Sequence, residues 1–225
     1  MKLYYHPVST TCRPILQLAA EENIDLELKL VDLFTGEQMK PDYLSVNPSH
    51  QVPVLDDDDF RLTESSAILK YIADKAGSPT YPTERRARAR VNERMDWFNT
   101  GLYRDLGYGF IYPQILPPYR RADEKVQAAT CEWGREKARE WLKILDENLI
   151  GPDNAHLCGQ HITIADFFGA ALLTVGEVIC LDYAAYPNIK RWLGNVKSRS
   201  SWAQANEGFY KYFVEPYKNG TYLAL

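Results

Sequence analysis

Residues 77–84 (Gly-Ser-Pro-Thr-Tyr-Pro-Thr-Glu) separate two stretches of chain whose apolar residues repeat with different periods. No single layer of secondary structure serves both periods, so the chain must build two domains around this linker. Ahead of it, short alternating runs mix with helical ones. Residues 2–6 read as a strand ending at Pro7. Residues 12–23 read as a helix with Pro14 in its first turn, where a missing N–H costs little. Leu26, Leu28 and Leu30 alternate with Glu27 and Lys29, the pattern of a half-buried strand. A short helix at 41–46, strands at 52–55 and 60–63 about the turn Asp56–Asp59, and a helix at 65–76 closed by Gly77 complete this part. Beyond the linker the strand signal disappears. Val91, Met95, Phe98, Leu102 and Leu106 form one helical stripe, and Ala138, Trp141, Leu145 and Leu149 a second. Ile164, Phe168, Ala171, Val175 and Ile179 form a third. Ile189, Trp192 and Val196 mark a fourth helix, and Trp202, Phe209 and Phe213 a fifth. The expected architecture is a mixed α/β domain at 1–78, a linker at 79–85 and an all-helical bundle at 86–225.

Composition narrows the function. Hydrophobic residues make up 45% of the 225, enough for a sizeable core. A net charge of −4 argues against nucleic acid as the main partner. The apolar runs are far shorter than the ~18–20 residues that span a bilayer, and the first residues show no apolar leader. Cys12, Cys131, Cys158 and Cys180 are neither paired closely nor spaced as metal ligands, and the four histidines are scattered. No metal site is expected, and a reducing cytoplasm is the expected compartment. Arg85, Arg86, Arg88, Arg90 and Arg94 crowd the start of the first long helix, as a solvated or subunit-facing charged face would.

Four motifs carry chemistry or structure. Ser9-Thr10-Thr11-Cys12-Arg13 lies between the first strand and the first helix, where helix N–H groups favour an anion. Of a C-x-x-C motif placed here only Cys12 would remain, with a hydroxyl at Ser9; an N-cap is the plain alternative. In Asn47-Pro48-Ser49-His50-Gln51-Val52-Pro53-Val54-Leu55 a cis Val52–Pro53 bond would leave the Val52 backbone free to pair with a peptide. A trans edge proline is the equal alternative. Glu64 and Ser65 open the third helix, where a hydroxyl and N–H groups suit a carboxylate and Glu64 suits an ammonium. In isolation a capped helix start is favoured there. Thr163 and Asp166 form a capping-box variant, with Ile162 and Phe167 as a hydrophobic staple, and this motif is structural.

The order and spacing of these motifs resemble the cytosolic glutathione transferases along essentially the whole chain. Ser-x-x-Cys-Arg, Asn-Pro-x-His-x-Val-Pro-x-Leu and Thr-Glu-Ser-x-Ala-Ile-Leu are most similar to the theta and delta classes and their bacterial relatives. The resemblance implies a thioredoxin-like glutathione-binding domain (βαβ-ββα) and a helical domain that receives an electrophile. It implies that Ser9 donates to the glutathione sulfur. Val52 would pair with the cysteinyl backbone, and Glu64 and Ser65 would hold the γ-glutamyl end. His50 would meet the glycyl carboxylate, with Gln38, Gln51 and Pro53 completing the glutathione site. Tyr103, Arg104, Tyr108 and Tyr210 are the expected electrophile-pocket residues.

The chain departs from the pattern at Thr11, where proline is common, at Gln38, where histidine is often found, and at Ser66, where delta enzymes often carry arginine. The bacterial beta class would place a cysteine at Thr10. The implied activity is thiolate attack on small hydrophobic electrophiles, as in detoxification. Glutathione would be cosubstrate, with no tightly bound cofactor, and the protein a homodimer. The rival functions are thiol-disulfide exchange through Cys12 and glutathione binding without turnover.

Overall fold

The structure is a computed structural model and describes residues 1–225. The first domain runs β1 (Lys2–Tyr5), α1 (Arg13–Glu22), β2 (Glu27–Leu30), α2 (Pro41–Leu44), β3 (Val54–Asp57), β4 (Phe60–Leu62) and α3 (Ser65–Lys75). The sheet order is β2-β1-β3-β4. Strands β1 and β2 are parallel, joined through α1, whereas β3 runs antiparallel to both β1 and β4. Leu3 on the inner strand β1 is fully buried, and so are Leu55 on β3 and Ile15 and Leu18 on α1.

Strand β2 corrects one sequence expectation. The alternation of Leu28 and Leu30 implied a half-buried strand, yet these residues are 48% and 51% exposed. β2 is an edge strand, and its side chains extend beyond the cover that α1 gives the inner strands. Strand β3 also starts two residues later than its apolar run, at Val54, and the Val52–Pro53 peptide bond just ahead of it is cis.

The second domain opens with a helix continuous from Arg85 to Ile115. It comprises α4 (Arg85–Trp97), wider π turns over Phe98–Leu102 and Arg104–Ile111, and α5 (Tyr112–Ile115). Glu84 caps it by accepting from the Arg86 and Ala87 N–H groups. Then follow α6 (Glu124–Ile144), α7 (Ile164–Leu173), α8 (Pro187–Lys197), α9 (Ser200–Phe209) and α10 (Glu215–Tyr217). Val91, Met95, Phe98, Leu102 and Leu106 are all fully buried, so the expected stripe is the buried one. Every residue of α7 is buried, which makes it the central helix. Gly134 on α6 lets that helix meet the long helix backbone to backbone, since a Cβ there would come 2.4 Å from Gly109.

One hydrophobic core runs through both domains, from Leu3 and Ile15 to Trp192 and Phe209. Arg13 fastens the join. Its guanidinium is fully buried and donates to Thr174 Oγ1 (3.1 Å), Asn206 Oδ1 (2.7 Å) and the Ala171 carbonyl (2.5 Å), 3.7 Å above the Phe209 ring. These partners are neutral, and burial lowers its pKa to about 10, so it remains a cation at neutral pH. No helix is long and apolar enough to cross a membrane.

Candidate active site

The sheet register decides which loops meet. Leu3 lies opposite Leu55, and Leu55 opposite Leu62, so β1 and β4 point one way and β3 the other. The loop leaving β1, the 49–53 segment before β3 and the turn leaving β4 therefore emerge at one end of the sheet. β2 runs with β1 and delivers the 31–40 segment to the same end. Helices α1 and α3 both begin there, with their positive ends facing the same space.

Hydroxyl groups organise the first loop. The Cys12 N–H donates to Ser9 Oγ at 3.3 Å, which ties the Ser9 side chain to the turn that leads into α1. Thr11 Oγ1 donates to the Val52 carbonyl at 3.1 Å and binds this loop to the 49–53 segment. A hydroxyl has one proton to give. Since Thr11 gives its proton to Val52, the 3.1 Å contact between Ser9 and Thr11 has Ser9 as donor. The Ser9 proton can reach another acceptor by rotation about one bond.

The neighbouring segments carry unused polar groups. The Val52 N–H makes no backbone hydrogen bond, although the side chain is buried. The Gln51 carbonyl accepts from Tyr43 Oη (2.7 Å) and Asn47 Nδ2 (2.8 Å), which fixes the segment just ahead of Val52. His50 sits at φ +57°, and its Nδ1, like Gln38 Oε1, is buried without a partner. Glu64 is exposed, and its backbone lies at φ +66°, ψ +112°, where a non-glycine residue stores about 1–3 kcal/mol of strain. Such outliers concentrate at functional sites. No side chain caps α3, and Ser65 is buried at its first position.

The helical domain faces this end with tyrosines. Tyr108 is 39% exposed and packs its ring 5.2 Å from Tyr103, 5.2 Å from Tyr112 and 5.5 Å from Tyr119, edge to face. Burial, the Tyr112 and Tyr119 phenols and the Glu64 carboxylate all raise the Tyr108 pKa, which puts Tyr108 within electrostatic reach of Glu64. Tyr103 is buried beneath it. Gly107 makes room, since a Cβ there would lie 2.7 Å from the Tyr103 ring.

Arg104 and Tyr210 have other partners. Arg104 forms a bidentate pair with buried Asp105, which also accepts the Trp141 indole N–H at 2.7 Å, so Arg104 belongs to the contact with α6. Tyr210 donates to Glu177 at 3.0 Å, beside the cage around Arg13. Two residues outside the expected pocket set, Thr10 and Tyr112, are joined across the domain boundary by a 3.1 Å hydroxyl contact. Cavities of about 570 and 630 Å³ open elsewhere on the molecule and involve none of Ser9, Val52 and Glu64.

Cys12 is fully buried against Val31, Tyr43, Val52 and Val54. Burial pushes its thiol up to about 11, far from the lowered value a reactive thiolate needs. This environment speaks against thiol-disulfide exchange through Cys12.

A thioredoxin-like sheet with two helix N-termini at one end, covered by a helical bundle, defines the class of protein. Residues 1–74 match the family model for the glutathione S-transferase N-terminal domain, and residues 109–200 match that for the C-terminal domain. A delta-class glutathione transferase of Nilaparvata lugens is similar over 98% of this chain and 99% of its own, at 34% identity and a TM-score of 0.82. Human glutathione-S-transferase T1-1 is 29% identical over 95% of this chain and 90% of its own, with a TM-score of 0.79. Human glutathione transferase theta-2, solved with glutathione and an unknown ligand, is 28% identical over 99% of this chain and 92% of its own, with a TM-score of 0.84. The chain belongs to the glutathione S-transferase family, and its neighbours include delta and theta enzymes.

Proposed function

We propose that this glutathione transferase conjugates glutathione to small hydrophobic electrophiles by presenting its sulfur as a thiolate above Ser9. The observation that carries the reading is the meeting of the Ser9 loop, the Val52 backbone and the strained Glu64–Ser65 helix start at one sheet end. Val52 N–H is suited to pair with the cysteinyl backbone, and Ser65 and the open N–H groups of α3 suit the γ-glutamyl carboxylate. Glu64 suits the ammonium. His50, with Gln51 beside it in the chain and Gln38 on the 31–40 segment at the same sheet end, suits the glycyl end, and Pro53 shapes the segment. Tyr108, over Tyr103, forms the electrophile side; the family resemblance adds Arg104 and Tyr210 with less support from their contacts.

The energies are adequate. A free thiol has a pKa of about 8.5. Lowering it by about 2 units needs about 2.7 kcal/mol of preference for the anion. One hydrogen bond to a charged acceptor contributes roughly 1.5–3 kcal/mol. A helix N-terminus adds about 0.3–1 kcal/mol. Ser9 and α1 together suffice without a metal or a histidine base. Glutathione is then a cosubstrate, and the reaction uses no resident cofactor. On the family resemblance we place the enzyme in the cytoplasm.

Conjugation of glutathione to a panel of aryl halides, epoxides and enones tests the reading. Glutathione binding with no turnover on any of them would favour a non-catalytic binding protein instead. Glu64→Ala and Ser65→Ala should each weaken glutathione binding by roughly 1–3 kcal/mol in calorimetry, since a charged end loses its partner. His50→Ala should cost less. Unchanged affinity in all three variants would remove this placement of glutathione. The family resemblance also supports a two-fold homodimer, which light scattering at micromolar concentration should detect. A purely monomeric mass would count against it.

A further inference from the structure

Thr10 sits between the two hydroxyls that organise the Ser9 loop, yet its own contact reaches the helical domain. Its Oγ1 lies 3.1 Å from Tyr112 Oη, and Tyr112 Oη lies 2.5 Å from Tyr103 Oη. All three residues are buried, with exposures of 5%, 7% and 5%. The hydroxyls thus form a chain from the core of the helical domain to the loop at the N-terminus of α1.

The protons of this chain can be counted. Burial raises the Tyr103 and Tyr112 pKa values, so both phenols keep their protons at neutral pH. Three hydroxyls carry three protons, and the two contacts use two. The third is left at one end. At the Tyr103 end its only acceptor is the neutral Tyr108 phenol, a weaker partner than an anion. At the Thr10 end it belongs to the residue next to Ser9, where a sulfur anion would receive it. An anion over α1 therefore favours the direction Tyr103 to Tyr112 to Thr10. Each link in such a chain strengthens the next.

We propose that Thr10 is a second hydroxyl donor to the glutathione sulfur, with Tyr112 and Tyr103 as positioning residues that orient its proton. The inference rests on the conjugating reading above, in which the sulfur lies over the start of α1. Ser9 supplies one proton from the first domain, and Thr10 supplies another that is steered from the second. The charged and titratable groups around the chain are Arg13 below the loop, whose charge counters the rise of Tyr112, and Tyr108 and Tyr119 against its rings, with Glu64 near Tyr108.

The test compares Ser9→Ala, Thr10→Val, Thr10→Ser, Tyr112→Phe and the Thr10→Val/Tyr112→Phe double variant. Turnover of an activated aryl halide is followed against pH, and glutathione affinity by calorimetry. Thr10→Val should lower kcat/KM roughly 3- to 10-fold at neutral pH and raise the pKa of the bound thiol, with glutathione affinity nearly unchanged. Thr10→Ser should restore the wild-type profile. Tyr112→Phe should shift the thiol pKa less, in the same direction, and the double variant should match Thr10→Val alone. A wild-type pH profile in Thr10→Val, additive losses in the double variant, or a Thr10→Ser variant that behaves like Thr10→Val would each overturn the proposal. A wild-type protein that binds glutathione but turns over no aryl halide at any pH is a separate outcome, which would remove the conjugating reading itself.

Discussion

Ser9→Ala is expected to lower kcat/KM at neutral pH by about 10- to 100-fold, from the loss of roughly 1.5–3 kcal/mol of thiolate stabilisation. The Ser9 proton is held by Thr11 and turns to the sulfur by rotation about one bond, whereas the Thr11 proton is engaged with the Val52 carbonyl. Glutathione affinity should change little, because its charged ends are assigned to other segments. The activity profile should move to higher pH, so that part of the rate returns in alkali. Thr10→Ala, Thr11→Val and Cys12→Ala should each cost much less. Ser9 also accepts the Cys12 N–H, so the variant loses a hydrogen bond worth about 0.5–1.5 kcal/mol of stability. Activity must therefore be compared well below the melting temperature. Were Ser9→Ala fully active while Thr11→Val or Thr10→Ala was not, the activating hydroxyl would be that threonine. An inactive Cys12→Ala alone would restore the thiol-disulfide mechanism.

The largest effect on stability is expected at Asp166. Its carboxylate is fully buried and accepts the Leu157 N–H (2.8 Å), the Trp192 indole N–H (2.8 Å), the Thr163 N–H (2.8 Å) and the Thr163 hydroxyl (3.0 Å). It thus joins the start of α7, the 156–163 loop and α8. Asp166→Ala leaves three buried N–H donors without an acceptor, and each such group costs about 1–3 kcal/mol before the protein relaxes. A total loss of roughly 3–5 kcal/mol is expected, as when one partner of a buried charged network is removed. For a chain of this size that corresponds to a fall in Tm of about 6–20 °C. Asp166→Asn keeps the shape and one acceptor oxygen, and should recover part of the loss. Thermal denaturation followed by circular dichroism measures both variants. A drop of less than about 3 °C for Asp166→Ala would show that the loop and α8 hold without the carboxylate. Glutathione affinity of whatever protein folds should remain near wild type, since the partners of the carboxylate are Leu157, Thr163 and Trp192 and none lies in the Ser9, Val52 or Glu64 segments.

By itself, the sequence determined the features that depend on local period and local chemistry. The change from a mixed α/β part to a helical one was legible because a period of two gives way to a period near 3.6, and the buried stripe from Val91 to Leu106 follows that period directly. The Thr163–Asp166 motif was legible because a helix end must satisfy its first N–H groups within a few residues. Features that depend on distant partners were decided only by tertiary structure. Alternation in β2 could not say that its leucines would be exposed, because burial depends on what covers an edge strand. Nothing local distinguished Arg104 from Tyr108. The π turns over Arg104–Ile111 close five residues apart rather than four, so the face on which each side chain falls departs from the ordinary helical count. Those turns help bring Tyr112 onto Tyr103 and into contact with Thr10, 102 positions earlier in the chain. The same holds for Arg13, whose side chain reads as one more charge at a helix start. It became a buried clamp only because Thr174, Asn206 and the Ala171 carbonyl were brought around it by the packing of α7 and α9 against α1.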